Sequence, residues 1–327
     1  MNRRTILKKG LLLGLSATLP VSSVFSGIRR ATLPVNNGIH TFTLGKLELF
    51  VVTDGHILFK KVQPSFAPDV PANQVKQLLD ENFLPDSVDL GVNILIIKSG
   101  DKIILLDTGC GTILGDSSGW LLRNLPKTGI QPTQITDIVI THGHPDHIGG
   151  LLDKNGELVF SSANIHLSRL EYEFWQSPSP DFSKSKMKDE ALKTMVVKTT
   201  KQTLDKIKPH LHLFEDGSRI LDCLTLKIAP GHTPGHTITT IFSEGQELVH
   251  VADLVHSPVL VFAHPEWGFD GDTDFSLAAT TRKNILEALA KSRQQVFSYH
   301  LPWPGLGHVR KKGKGFEWVQ TGFALPD

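Results

Sequence analysis

The six residues His142-Gly143-His144-Pro145-Asp146-His147 put three imidazoles and a carboxylate into one short stretch of chain. Imidazole nitrogen and carboxylate oxygen suit divalent transition metals such as zinc. The stretch follows the apolar run Ile138-Val139-Ile140-Thr141, so its donors leave a rigid strand end into one small volume. Three more metal-competent side chains come at the ends of strand-like runs. His232 lies in Ala-Pro-Gly-His-Thr-Pro-Gly-His after Leu224–Ile228, Asp253 follows Leu248–Ala252, and His300 follows Val296–Tyr299. One histidine after a strand carries little information. Four such strand ends converging on one sheet edge can hold two metals. Paired metals bring the pKa of water toward neutrality and polarise a carbonyl or phosphoryl oxygen, so no serine or cysteine nucleophile is needed.

Strands must carry these donors. Alternating or β-branched runs bounded by Gly, Pro or Asp predict them over Phe42–Thr53, Val92–Lys98, Lys102–Asp107, Thr136–Thr141, Leu211–Glu215, Leu224–Ala229, Thr237–Ser243, Glu247–Ala252 and Val296–His300. Helices are predicted over Pro71–Glu81, Trp120–Leu125, Ser168–Gln176, Lys184–Ile207 and Phe275–Lys291, the last after the capping stretch Asp272-Thr273-Asp274. The lysines of Ser183–Lys208 read as the solvated face of an amphipathic helix.

With 34 basic against 33 acidic residues, the chain lacks the excess positive charge of a nucleic-acid binder. A hydrophobic share of 40% supports one large core, expected over residues 31–327. The first 30 residues are set apart. Arg3-Arg4 in a charged start, the apolar stretch Gly10–Val24 and the small residues Ser22–Gly27 resemble a twin-arginine export signal, which implies a periplasmic or secreted protein. The apolar run is too short for stable membrane insertion. Cys110 and Cys223 are expected to be free, buried thiols.

The ordered HxHxDH motif, His232, Asp253 and His300 resemble the metallo-β-lactamase superfamily, over about Phe42 to Gln320. Within it the chain is similar to methyl parathion hydrolases and the N-acyl-homoserine lactonases related to them. The matching stretches are Thr53-Asp54-Gly55, Leu106-Asp107-Thr108-Gly109, the segments 141–150 and 231–237, Ala252-Asp253-Leu254 and the tail 300–308. The resemblance implies an α+β fold, a four-layer αβ/βα sandwich with two metals, zinc in first place, at one sheet edge. It implies that His142, His144 and His232 bind one metal, that Asp146, His147 and His300 bind the other, and that Asp253 bridges them. A hydroxide shared by the two metals is then the nucleophile. Asp54, Asp107, Thr141 and His236 are expected to orient these ligands.

The same resemblance implies opening of a lactone ring, that of an N-acyl-homoserine lactone in first place, with organophosphate triester hydrolysis as the alternative. Asp146, Asp253 and His256 are the expected catalytic residues. His256 stands where related lactonases often carry a Tyr facing the substrate, and a His there can hydrogen-bond a carbonyl or protonate a leaving alkoxide. Leu114, Trp175 and Leu192 align with pocket residues of methyl parathion hydrolase. Phe262, Trp267, Phe269 and Trp303 follow the metal-binding strands and are expected to add to an apolar wall. The expected partners are a small lactone or ester with an apolar tail and, by the resemblance alone, a second copy of the chain.

Overall fold

Leu49 and Val51 leave their strand on one side, Phe50 and Val52 on the other, and this alternation builds the layers. The structure, a computed structural model, describes residues 38–322; the expected export signal lies outside them. Strands β1 (Ile39–Leu44), β2 (Leu47–Phe59), β3 (Val88–Ser99), β4 (Lys102–Leu106), β5 (Asp137–Val139), β6 (Asn164–Ser168) and β7 (Leu211–Phe214) form one sheet in that order. It is antiparallel up to β4 and parallel beyond. The second sheet runs from β8 (Arg219–Ile220) through β9 (Leu224–Ile228), β10 (Thr237–Ser243), β11 (Gln246–His250), β12 (Gln295–Phe297) and β13 (Leu306–Lys312) to β14 (Gly315–Gln320). Only its β11–β12 pair is parallel.

One apolar layer fills the space between the sheets, with Leu95, Ile97 and Leu106 from the first and Leu226, Ile241 and Phe297 from the second. Ile94 and Ile96 face the other way, toward helices α2 (Leu121–Asn124), α4 (Arg169–Gln176) and α5 (Glu190–Ile207). On the outer face of the second sheet Val249 and Val296 meet α7 (Phe275–Ser292). Helix, sheet, sheet and helix make the expected four layers. Helix α1 (Ala72–Glu81) packs in a separate cluster beside the β2–β3 end, and the short helices α3 (Pro145–Ile148) and α6 (Leu260–Ala263) lie in loops. No helix among the described residues is long and apolar enough to cross a membrane.

Three expectations change. The strand predicted over Phe42–Thr53 is a hairpin, because Gly45 takes a φ of 55° and turns β1 onto β2. The helix predicted from Lys184 starts at Glu190, where the Asp189 side chain accepts the Leu192 N–H. Residues before it form an extended strap held by the Lys184–Asp274 and Lys186–Asp69 ion pairs. The β13–β14 hairpin and β6 are additions that the sequence patterns did not reveal.

Candidate metal centre

Strands β5, β9, β11 and β12 all end at one edge of the sandwich, and each delivers donors there. His142 follows β5. His144 sits just before α3, whose first residue Pro145 fixes the helical turn that brings Asp146 and His147 round. His232 lies in the β9–β10 loop, Asp253 in the turn after β11 and His300 after β12. Two donor sets result. His142, His144, His232 and Asp253 form one, and Asp146, His147, Asp253 and His300 the other; within each set the ligand atoms all lie within 4.8 Å of one another.

Asp253 stands between the two sets. Its Oδ2 is 3.3 Å from His232 Nε2 and 3.2 Å from His300 Nε2, and its Oδ1 is 3.0 Å from His147 Nε2. His142 Nε2 faces His144 Nδ1 at 3.0 Å and His232 Nε2 at 3.2 Å. Burial, reinforced by neighbouring imidazoles, holds His142 far below the ordinary histidine range and brings His144 to about 3. These ring nitrogens crowd together with no intervening group. His147 Nε2 and Asp253 Oδ1, buried 3.0 Å apart, make no hydrogen bond of acceptable geometry with each other or with any other group. Imidazole and carboxylate atoms converging in this way, with two of them orphaned in the interior, fit cations, so the first set would hold one divalent metal and the second the other.

The surrounding shell fixes the rings. Asp107 Oδ2 accepts from His147 Nδ1 at 2.9 Å and from the Thr141 hydroxyl at 2.8 Å, and Thr141 Oγ1 lies 3.1 Å from His142 Nδ1. Asp107 and Ala252, the latter beside Asp253, hold left-handed φ values of 62° and 44°. His236 is not in either donor set. Its Nε2 accepts the Asp253 N–H at 3.1 Å while its Nδ1 donates to the Ala229 carbonyl, so it holds the Asp253 backbone. Asp54 has a different task from the expected one. From a bulge in β2 it accepts backbone N–H groups of Cys110, Gly119 and Leu121, anchoring a loop and touching no ligand. Cys110 and Cys223 are free and buried.

Two ligand supports were not foreseen. Asp272 accepts from His232 Nδ1 at 2.8 Å and is braced by the buried Arg282, which also donates to the Leu254 and Pro265 carbonyls. The sequence predicts a helix cap over Asp272-Thr273-Asp274, yet only Asp274 caps α7. Glu171 is the other, a fully buried carboxylate beside both histidine loops.

A cavity of about 170 Å³ opens onto the donors Asp146, Asp253 and His300. Leu114, Leu192, His256 and Phe269 line it. Ile57, Phe59, Met187 and Met195, which carry no chemical mark in the sequence, complete much of the wall. Four expected wall residues lie elsewhere. Trp175 is buried behind His144, on the inward stripe of α4, with Nε1 donating to Glu171. Phe262 packs against Trp318, Trp267 stacks on His264, and Trp303 packs at the layer between the sheets. Large aromatics near the site in sequence have gone to core and flank, because burying them there removes more apolar area from water.

His256 reaches the cavity, but its Nε2 lies 3.1 Å from Asp253 Oδ2. Its ring stacks 5.4 Å from that of His300 and lies tilted 5.0 Å from that of Phe269. Burial outweighs the pull of Asp253 and lowers its pKa to about 4. A neutral ring beside a carboxylate carries its proton on the facing nitrogen, so Nε2–H donates to Asp253. That departs from the expected donation to a leaving group.

The sequence pattern of the metallo-beta-lactamase superfamily matches residues 88–296, more than half of the chain. Among solved structures, AidC, a dizinc quorum-quenching lactonase in complex with a product, is 42% identical; the match covers 88% of this chain and 99% of that one, with a TM-score of 0.85. The hydrolase AbOPH, described as in the beta lactamase superfamily, is 29% identical over 88% of this chain and 99% of its own, with a TM-score of 0.80. An N-acyl homoserine lactonase of Bacillus cereus is 28% identical over 54% of this chain. The match spans 31%, 55% and 60% of the first three curated relatives, so the chain covers less than two thirds of their length. On the breadth of these matches and the four-layer fold, the chain belongs to the metallo-beta-lactamase superfamily.

Proposed function

We propose that the chain hydrolyses the ring ester of an N-acyl-homoserine lactone. The observation that carries this reading is an apolar cavity whose floor is the shared donor Asp253 with Asp146 and His300. An acyl tail fits the wall while the ester carbonyl meets the donors. The likeness to a dizinc lactonase across 88% of the chain supports it. Two bound zinc ions supply water of lowered pKa and a Lewis acid for the carbonyl. In the balanced reaction water adds to the carbonyl carbon, the ring C–O bond breaks, and the released alkoxide takes up a proton to give the open hydroxy acid. The chain's own residues orient that chemistry. Asp107 and Asp272 lock His147 and His232, and the Tyr299 hydroxyl donates to the Asp146 carbonyl at 2.7 Å. Leu114 and Phe269 keep bulk water from the reacting ester.

Metal-loaded protein assayed with hexanoyl- and dodecanoyl-homoserine lactone beside methyl parathion tests this. The expected kcat/KM for a lactone is at least about 10⁴ M⁻¹s⁻¹, the lower end for an enzyme on its own substrate. Methyl parathion should be at least about tenfold poorer. Faster turnover of methyl parathion than of any lactone would overturn the lactonase reading in favour of the phosphotriester alternative.

The corrected wall separates pocket from core. The cavity is below the roughly 300–1,000 Å³ usual for drug-sized ligands, so a long acyl chain needs Leu192 and the two methionines to move aside. Met195→Ala is expected to change KM for dodecanoyl substrate by about three- to tenfold, with little effect on a short chain. Trp175→Ala should instead lower stability by about 3–5 kcal/mol, seen in a denaturant melt, and leave the chain-length ratio unchanged. A chain-length effect of Trp175→Ala matching that of Met195→Ala would return Trp175 to the pocket wall.

A further inference from the structure

We propose that Glu171 is a positioning residue for the metal centre, its buried carboxylate joining the loop of His142 and His144 to the loop of His232, one oxygen for each. Oε1 accepts the Gly143 N–H at 2.8 Å and the Trp175 indole N–H at 2.6 Å. Oε2 accepts the Thr233 hydroxyl at 2.7 Å and the Gly235 N–H at 2.9 Å. Gly143 lies between two candidate ligands, and Thr233 directly follows a third. None of the four donors carries a charge. A buried carboxylate without a cation is retained only where several hydrogen bonds satisfy it, and here four do.

Local sequence explains how Glu171 comes to be free for this task. Ser168-x-x-Glu171 has the spacing of a capping box, in which the glutamate would turn back to the backbone of the serine. Only half of that box forms. Ser168 Oγ accepts the Glu171 N–H at 3.1 Å and itself donates to the Gly235 carbonyl, while the carboxylate reaches both metal loops. The start of α4 also favours a negative charge in its first turn. Glycine is required at both contact points, since a Cβ at Gly143 would meet the Trp175 ring and one at Gly235 the Ser168 hydroxyl and Glu171 backbone. On the far side of Gly143, its carbonyl accepts the Thr200 hydroxyl at 2.6 Å, so this residue is held at both its N–H and its carbonyl.

Cobalt(II) titration of metal-free protein, followed by its visible absorption and by chelator competition, tests this without substrate. Glu171→Gln replaces one acceptor oxygen by an NH₂ group facing two donors. One of the two cobalt constants is expected to weaken by about 10- to 100-fold, as for loss of a ligand's supporting contact, with the other within about threefold. Thr233→Val removes a single donor and should weaken the same constant by less, which keeps the test open if the glutamine variant fails to fold. The inference rests on the two-metal reading: wild-type protein that binds fewer than two cobalt ions overturns both. Two ions in the wild type, with both constants unchanged in the variants or both weakened equally, overturn the role of Glu171 alone.

Discussion

Asp253→Asn is expected to lower kcat/KM for a homoserine lactone by at least about 1000-fold and to reduce the metal content from two ions per chain to one or none. Asp253 is the only residue common to both donor sets. Four imidazole nitrogens, of His147, His232, His256 and His300, lie within 3.3 Å of its two oxygens. Asparagine keeps the shape and removes the charge that both sets share. An amide also turns an NH₂ group toward one of them, where a metal needs a lone pair. Asp146 then remains to serve the second set, while the first keeps three histidines and no carboxylate. Elemental analysis of chelator-free protein beside steady-state kinetics gives the answer. A variant that retains two metals and more than a tenth of wild-type activity would remove Asp253 from the bridging position.

The donors were legible because their chemistry is local: His, Asp and a strand end occur together in the same few residues. His232, Asp253 and His300 were picked out by their places after strand-like runs together with the superfamily pattern, and those strands do end at one edge. Glu171 and Asp272 were not legible, because their partners lie 28 to 64 and 40 residues away and only the packed fold brings them together. The aliphatic pocket wall escaped for the opposite reason. Ile57 and Met195 differ in no visible way from core residues, while the conspicuous Trp175 and Trp267 are core and flank. Among elements, the alternation of Phe42–Thr53 continues across the Gly45-Lys46 turn and hides the hairpin. In β13 and β14 the exposed Arg310, Lys311 and Lys312 mask an apolar face formed by Val309 and Phe316.

His256 shows how a packed structure changes a chemical role. A lactone releases an alkoxide of high pKa, which gains from a proton donor as its C–O bond breaks; a nitrophenolate gains little. On that argument His256→Phe would slow lactone hydrolysis selectively. The geometry directs the Nε2–H to Asp253 instead, and the ring lies parallel to that of His300. Its Nδ1, buried and without a partner, is then an acceptor and has no proton to give. His256 therefore acts through the shared carboxylate. His256→Phe is expected to lower turnover of a homoserine lactone and of methyl parathion by a similar factor, about 10- to 100-fold, with weaker metal retention in both. His256→Gln, which keeps an N–H donor, should recover part of both losses. Parallel kinetics and metal analysis of the two variants decide between the roles. A loss confined to the lactone, with two metals retained, would restore His256 as the donor to the leaving alkoxide and remove it from the support of Asp253.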